Sequence, residues 1–495
     1  MLTLTIWISF LGAAAIALMP AQNKHAIRWT ALGTASLALL VAIVHYFKYD
    51  IPKAGFQFGF DAPWIPQIGA GFHFGVDGFS LPLVLLTGII AVTGILYSWN
   101  IEDRVKEFFT LFLVLIGGVY GVFQALDIFL IFLFYEIAII PKYFIIAIWG
   151  STRKEYGAMK LVLYSLVGSS MVFIGMLAMF FVSGAKTFDI VQLRQMSEAG
   201  VFPAYFQLWA FPLIFVGFGI LGGLVPFHTW APTGHVAAPT AASMLLAGVV
   251  MKLGTYGALR VGIYLMPDGL AAWKWPVALL AVIGIVYGAL IAFVQKDFKF
   301  VIGYSSVSHM GFVLLGLVTL NVIGLSGAIL QMFSHGILSG LLFAVVGRLV
   351  YDRTHTRQLA DLGGLYKAIP FAAVVFFIAG FASAGLPGFS GFVAELQILI
   401  GSWKAFPAFA VVAGFGIVMT FVYILRAMHA AFIGDSEQDA EKWKKLPPIT
   451  WPEKVASILL IGCSLVVGIY PGIMTDLIDS AAVPFIQNLF IQSGH

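Results

Sequence analysis

Four ionisable side chains interrupt runs that are otherwise apolar: Glu136 and Lys142 in IFLIFLFYEIAIIPKYFIIAIWG, Lys252 in ASMLLAGVVMKLGTYGALR, and Glu395 in GLPGFSGFVAELQILIG. At the centre of a bilayer each such group costs about 2.5–3.5 kcal/mol on insertion scales, and groups kept at that depth mark ion and proton pathways. Removal from water favours the neutral form of both a carboxyl and an amine, so the two types can hand protons to one another near neutral pH. The chemistry these residues could do is proton transfer along a polar track.

The spacing leaves some pairings open. Glu136 and Lys142 read either as a structural ion pair or as a proton-handling pair, since unit charges 4 Å apart attract by about 4 kcal/mol at an effective dielectric of ~20. Six residues place them roughly 120° apart around an ideal helix, a gap that Pro141 and the long lysine stem partly close. Lys252 has no charged neighbour within a helical turn, and Glu395 follows a helix break where water can reach it. His309 in YSSVSHMGF and His335 in LQMFSHGILSG lie in apolar helices. They either relay protons near neutral pH or only hydrogen-bond a serine such as Ser305 or Ser334. His228 and His235 flank a break in PFHTWAPTGH without a third suitable metal ligand nearby, which predicts capping and loop roles. Gly217-Phe-Gly219-Ile-Leu-Gly222 matches a dinucleotide-binding pattern by letter only, because no strand precedes it. Gly284-IVY-Gly288 and Gly336-ILS-Gly340 read as sites of close helix packing. Cys463 is the single cysteine, which excludes disulfides, zinc clusters and iron–sulfur ligation within this chain.

The elements that must position these groups follow from composition. The chain has 495 residues, of which 60% are hydrophobic and 10% charged, with a mean hydropathy of +0.97. That is far from a soluble protein of this size and predicts an all-α polytopic membrane protein. About 14 segments are long enough to cross a hydrocarbon core as helices of ~20 residues. The first, Leu2 to Met19, reads as a span rather than a signal peptide. Two spans read as broken, at LVPFHTWAPTGH within 206–236 and at GLPGFSGF within 370–403. Backbone freed at that depth is tolerated only inside protein or beside a water-filled cavity. Matching breaks in two halves point to inverted repeats with an ion path at their interface. The predicted organisation is helices 1–3 over 1–106, a first five-helix repeat over 107–264, a second over 275–433, and a last helix and tail over 434–495. Loops after odd-numbered spans carry most of the cations, among them Lys24, Arg28, Arg104, Lys106, Arg153, Lys154, Lys296, Arg348, Arg353, Arg357, Lys442 and Lys444. This distribution places those loops in the cytoplasm and both termini on the opposite side. The formal charge of +4 is small and spread over loops, which argues against nucleic-acid binding.

Several stretches together carry a resemblance: FYEIAIIPKYFIIAIWG, LVPFHTWAPTGHVAAPTAASMLLAGVVMKLGTYGALR, QKDFKFVIGYSSVSHMGF, LQMFSHGILSGLLF, RTHTRQLADLGGL and GLPGFSGFVAELQIL. Over nearly its whole length the chain resembles the chain M (mitochondrial subunit 4) family of NADH:quinone oxidoreductase, respiratory complex I. The resemblance implies an antiporter-like, proton-translocating subunit of the membrane arm in a bacterial inner membrane or its organellar equivalent. It also implies that partner subunits hold the FMN, the iron–sulfur clusters and the quinone, with no redox centre in this chain. The family's buried glutamate of the fifth helix falls on Glu136, its central lysine on Lys252, its linking histidines on His309 and His335, and the glutamate of its broken twelfth helix on Glu395. One position departs. Where the family has a lysine on the seventh helix this chain has Leu221, and it carries Lys142 where the family commonly has methionine, so Lys142 is expected to replace the missing base. Two other classes share the architecture: subunits of Mrp-type sodium/proton antiporters and of membrane-bound hydrogenases.

Overall fold

The computed structural model describes residues 1–53, 55–434, 443 and 445–492; Lys442 and Lys444 lie outside them. Among the described residues, eleven helices are long and apolar enough to cross a membrane, and three shorter apolar helices accompany them. In chain order the helices are α1 (Leu4–Leu18), α2 (Lys24–Lys48), α3 (Leu81–Tyr97), α4 (Val105–Gln124), α5 (Ile128–Trp149), α6 (Lys154–Ser183), the short α7 (Ile190–Glu198) and α8 (Ala204–Gly222). They continue with α9 (Trp230–Ala237), α10 (Thr240–Ile263), α11 (Pro267–Val294), α12 (Phe298–Leu317) and α13 (Val322–Thr354). The last are α14 (Pro370–Ser383), α15 (Ser390–Ala405), α16 (Pro407–Ile433), α17 (Trp451–Ile469) and α18 (Gly472–Gln492).

The all-α expectation needs one correction. Residues 57–76 form an antiparallel hairpin of β1 (Gln57–Ile65) and β2 (Ala70–Val76), in register through Phe60 with Phe74 and Asp61 with His73. Aromatic pairs such as Trp64 with Phe72, 5.1 Å between ring centroids, hold its face together. The hairpin sits over the junction of α4 and α5. Leu126 N donates to His73 O at 2.8 Å, and Gly71 N donates to Asp127 Oδ2 at 3.2 Å. Asp127 also caps α5 by accepting from Leu130 N at 2.9 Å, and Asp189, Asp297 and Asn321 cap α7, α12 and α13 in the same way. A side-chain oxygen at this position satisfies a backbone donor that the helix leaves free.

Both expected breaks are present. α8 ends at Gly222, Gly223 turns with φ +84°, and the chain passes through Pro226 before α9. α14 ends at Ser383, and Gly385 and Gly388 turn at φ +82° and +96° before α15 begins. Positive φ of this size is readily open to glycine alone.

α10 and α13 are the most enclosed helices: every residue of their apolar stretches is buried, against 28% for α2 and 33% for α16. Small residues bring the surrounding helices close. A side chain at Gly217 would lie 2.7 Å from Gly168 O of α6, and one at Gly288 would lie 2.7 Å from Ser308 N of α12. The letters of the dinucleotide-like pattern therefore serve helix packing. α13 is tied to α17 at the membrane face opposite the hairpin. There Arg348 Nε and Arg353 Nη2 each donate to the Glu453 carboxylate at 2.7 Å, and Arg353 also reaches the carbonyls of Pro447 and Pro448. Glu453 Oε2 additionally accepts from Thr450 N, closing the capping box of α17.

Replacing Glu453 by Ala removes the shared anion of two arginines and a helix cap at once. Breaking a buried pair from one side costs about 3–5 kcal/mol. Glu453→Ala is expected to lower the thermal unfolding midpoint in detergent, while Lys454→Ala on the same turn leaves it unchanged.

Candidate functional site

α10 departs from regular α geometry around its buried lysine. Leu246–Val250 forms a π-helical turn, which frees backbone carbonyls and recurs at functional sites. Lys252, fully buried, uses this: its Nζ donates to Ala247 O and to Nδ1 of His335 on α13, the latter at 2.7 Å. With Lys252 as an ammonium, a donor only, Nδ1 accepts and the proton of neutral His335 lies on Nε2. The lysine that has no charged neighbour in sequence thus finds its partner on another helix.

From His335 the row continues. Its ring centroid lies 5.5 Å from that of His309 on α12. His309 Nδ1 is 3.0 Å from Glu395 Oε1 of α15, and its Nε2 is 3.1 Å from Ser383 Oγ at the end of α14. Gln331, one turn before His335, donates through Nε2 to the same Glu395 oxygen at 3.2 Å. Between these groups lies a cavity of about 10 Å³ lined by His309, Gln331, Ser334, His335, Ser383 and Glu395. That is room for one water molecule. Four of the six residues singled out in the sequence, Lys252, His335, His309 and Glu395, therefore form one buried row contributed by α10, α13, α12 and α15. The break between α14 and α15 supplies both Ser383 and the start of the helix that carries Glu395.

Glu136 and Lys142 form a second cluster on α5. Lys142 is 2% exposed, and among the described residues no hydrogen bond or ion pair reaches its Nζ. Glu136 is less enclosed, has Ser169 of α6 beside it, and keeps Oε1 without a partner. α8 stands between this cluster and the row. On one side Phe218 meets Tyr135 of α5 with ring centroids 5.8 Å apart, and on the other Gly222 packs against Gly254 and Thr255 of α10. Leu221, buried at 1%, lies on that stretch of α8.

Three details correct the sequence reading. His235 neither caps a helix nor sits in a loop: it lies within α9, 0% exposed, stacked on Phe343 at 4.7 Å, with both ring nitrogens unpartnered. It is close enough to Lys252 and Lys299 for both charges to act on it. The strongly apolar neighbours on α13 enclose it, which the proline-rich segment around it conceals. His228 likewise lies buried in a 3₁₀ turn, edge-on to Tyr287 at 5.2 Å. The serines suggested as histidine partners are committed elsewhere, Ser305 to Tyr423 Oη at 2.7 Å and Ser334 to Ser390 Oγ at 2.8 Å. Gln331 and Ser383 were not anticipated; the i, i+4 spacing of Gln331 and His335 on one helix was the available signal for the first.

On the face opposite the hairpin a cavity of about 260 Å³ is lined by Tyr97, Ser151, Thr240, Lys299, Arg348 and Asp352. Lys299 Nζ donates to Ala238 O at 3.0 Å on its wall.

Residues 125–420 match the family described as NADH:quinone oxidoreductase/Mrp antiporter, transmembrane. The chain is 37% identical to NADH-quinone oxidoreductase subunit M of Rhodobacter capsulatus, over 98% of this chain and 97% of the relative. It is 36% identical to an NAD(P)H-quinone oxidoreductase chain 4 of Synechococcus elongatus, over 97% and 90%. Among solved structures, a chain of respiratory complex I from Thermus thermophilus superposes with a TM-score of 0.89 at 28% identity, covering 99% of this chain and 100% of that one. A chain of the Mrp complex from Dietzia superposes with a TM-score of 0.86 at 23% identity, over 99% and 98%, a likeness of fold.

The turn at Gly385 bears directly on the row. A Cβ there would lie 3.2 Å from Glu395 Oε2, on a backbone at φ +82°. Gly385→Ala is expected to destabilise by about 1–2 kcal/mol from the left-handed backbone alone, read as a lowered thermal midpoint, and Gly414→Ala, with open space around its Cβ, is expected to lack that effect.

Proposed function

The chain belongs to the NADH:quinone oxidoreductase/Mrp antiporter family of membrane subunits, and from that premise we propose that it is the proton-translocating subunit M of a complex I-type NADH:quinone oxidoreductase. The observation that carries the reading is the buried row Lys252–His335–His309–Glu395, in which neighbouring side chains stand within hydrogen-bond distance or one water of each other. Identity of 36–37% over nearly the full length of quinone oxidoreductase relatives favours this over the Mrp reading, which rests on the shared family and on fold.

The chain performs no bond chemistry in this reading. Its residues hold and move protons while quinone reduction in partner subunits, which carry the FMN and iron–sulfur clusters, supplies the energy. Each charge moved against 100 mV requires about 2.3 kcal/mol. Separating Glu136 from its basic partner favours loss of a proton from that base, and restoring the pair reloads it. The chain is read as crossing the membrane fourteen times, through the eleven long and three shorter apolar helices, with both termini on the non-cytoplasmic side. The breaks at α8/α9 and α14/α15 each fall in the fourth of five helices and support two inverted repeats, 107–264 and 275–433. The cavity beside Lys299 supports uptake of protons from the cytoplasmic side, with His235 between it and Lys252.

Lys142 takes the place of the base that Leu221 lacks. Phe132 of α5 meets Phe173 of α6 at 5.4 Å, and Gly168 of α6 meets Gly217 of α8, so α5 and α8 run in the same direction with Tyr135 level with Phe218. A lysine on a helix reaches back toward the N-terminus over the preceding turn. Lys142 thus carries its ammonium toward the level of Leu221.

Two tests follow. In inverted membrane vesicles, Glu136→Gln is expected to lose proton pumping together with donor:quinone activity; unchanged pumping would make the glutamate structural. Lys142→Met is expected to impair pumping and Lys142→Met with Leu221→Lys to recover it in part. Equal impairment in the single and double variants would exclude the exchange of positions.

A further inference from the structure

On α10, two turns beyond Lys252 toward the hairpin face, Arg260 is enclosed more completely than any other arginine in the described residues, at 1% exposure. Its Nη2 donates to Asp77 Oδ1 at 2.6 Å and its Nε to Tyr256 Oη at 3.2 Å, while Nη1 has no partner. Four aromatic rings surround the guanidinium, those of Phe56, Phe79, Tyr256 and Tyr264, at 5.0 to 5.7 Å. Asp77 is held in turn by the backbone N–H groups of Phe79 and Ser80, each at 3.0 Å.

On the far side of Asp77 lies a cavity of about 200 Å³ whose walls include Asp77, Arg194, Glu198, Tyr264 and Ser480. It lies beneath the hairpin side of the molecule, bounded by α7 and α18. From Arg260 to Lys252 is about 12 Å along α10, eight residues at 1.5 Å each. The groups on that path are Asp77, Arg260, Tyr256 and then Lys252, whose own Nζ is turned away toward Ala247 and His335.

A proton can cross such a sequence only if each group both accepts and donates. A guanidinium donates five N–H bonds and has no acceptor, and it does not lose its proton in a protein. Beside it the hydroxyls of Ser80 and Tyr256 neighbour one another, but each has given its single hydrogen elsewhere: Ser80 to Asp77 Oδ1 at 3.2 Å, and Tyr256, which also accepts from Arg260 Nε, to Phe123 O at 3.3 Å, so neither donates onward toward Lys252.

We infer that Arg260, positioned by Asp77, is a proton barrier that closes the short route between Lys252 and the hairpin-face cavity, so that protons on Lys252 leave along the row toward Glu395. The inference rests on the reading of Lys252 as a proton-carrying group. Its role is to prevent a leak, so its removal has a signature that needs no turnover.

The test is the passive decay of an imposed pH gradient across proteoliposomes holding the whole complex, without electron donor, for the parent and for Arg260→Gln and Arg260→Met. Glutamine both donates and accepts and is expected to speed the decay several-fold; methionine, of similar length and unable to relay, is expected to decay at the parental rate. A tight Arg260→Gln variant would overturn the inference. So would an Arg260→Met variant as leaky as Arg260→Gln, because the leak would then come from loosened packing. Should a neutral variant fail to assemble, Arg260→Lys keeps a cation in the aromatic cage that can shed its proton, and decay at the parental rate with lysine there would also overturn it. Donor-driven pumping by Lys252→Met, measured separately, tests the underlying reading and leaves the leak measurement independent of it.

Discussion

An ammonium kept at membrane depth must have acceptors inside the protein, because hydrocarbon offers none. Lys252 has two, one backbone carbonyl and one imidazole nitrogen, and much of the surrounding architecture is what makes them available. The π-helical turn exposes Ala247 O. α13 brings His335 alongside, and α13 is in turn held by the Arg348–Glu453–Arg353 cluster at its far end. The close approach of α10 and α13 depends on glycine at their contact, since a side chain on Gly336 would meet Gly248 O at 2.7 Å. Two helices that bury every residue of their apolar stretches are thus organised around one pair of polar contacts.

The breaks in α8/α9 and α14/α15 serve the two clusters differently. At the second, the gap between α14 and α15 puts Ser383 on one side of His309 while Glu395 approaches from the other, so the imidazole is held at both nitrogens. At the first, the continuation past Gly223 carries His235 into the core, stacked on Phe343 of α13. α8 presents Phe218 to α5 and Gly222 to α10, with Leu221 buried on the same stretch. The contacts of α8 with both helices are consequently apolar.

Charge was the part of the site legible in the sequence, because the insertion penalty makes Glu136, Lys142, Lys252 and Glu395 conspicuous wherever they stand. Neutral polar residues carry no such signal: serine and glutamine are ordinary in membrane helices, so Ser383 and Gln331 looked like any others, and Ser305 and Ser334 looked like better partners than they are. The spans were legible because hydrocarbon thickness fixes their length, and the breaks because proline and glycine interrupt them. The hairpin was not. Its strands, rich in aromatic residues and punctuated by glycine and proline, lie between two spans where neither helical period nor length gives a constraint, and their pairing is stabilised by contacts with α4 and α5 that only the folded chain supplies.

On the proposed function, the connectivity of the row follows from which atoms are free. When Lys252 gives a proton to His335 Nδ1, the ring must shed the proton on Nε2 to return to its starting form, and Nε2 has no protein partner. His309 cannot receive it directly through either nitrogen, since Nδ1 faces Glu395 and Nε2 faces Ser383. The cavity of about 10 Å³ bordered by both imidazoles, Gln331 and Ser334 is a place where a water joins the two halves of the row. Its size admits a single molecule, so continuity between Lys252 and Glu395 depends on whether that one position is filled. A site for one water joins or separates the two halves of the row in a single step, unlike a wide, permanently hydrated channel.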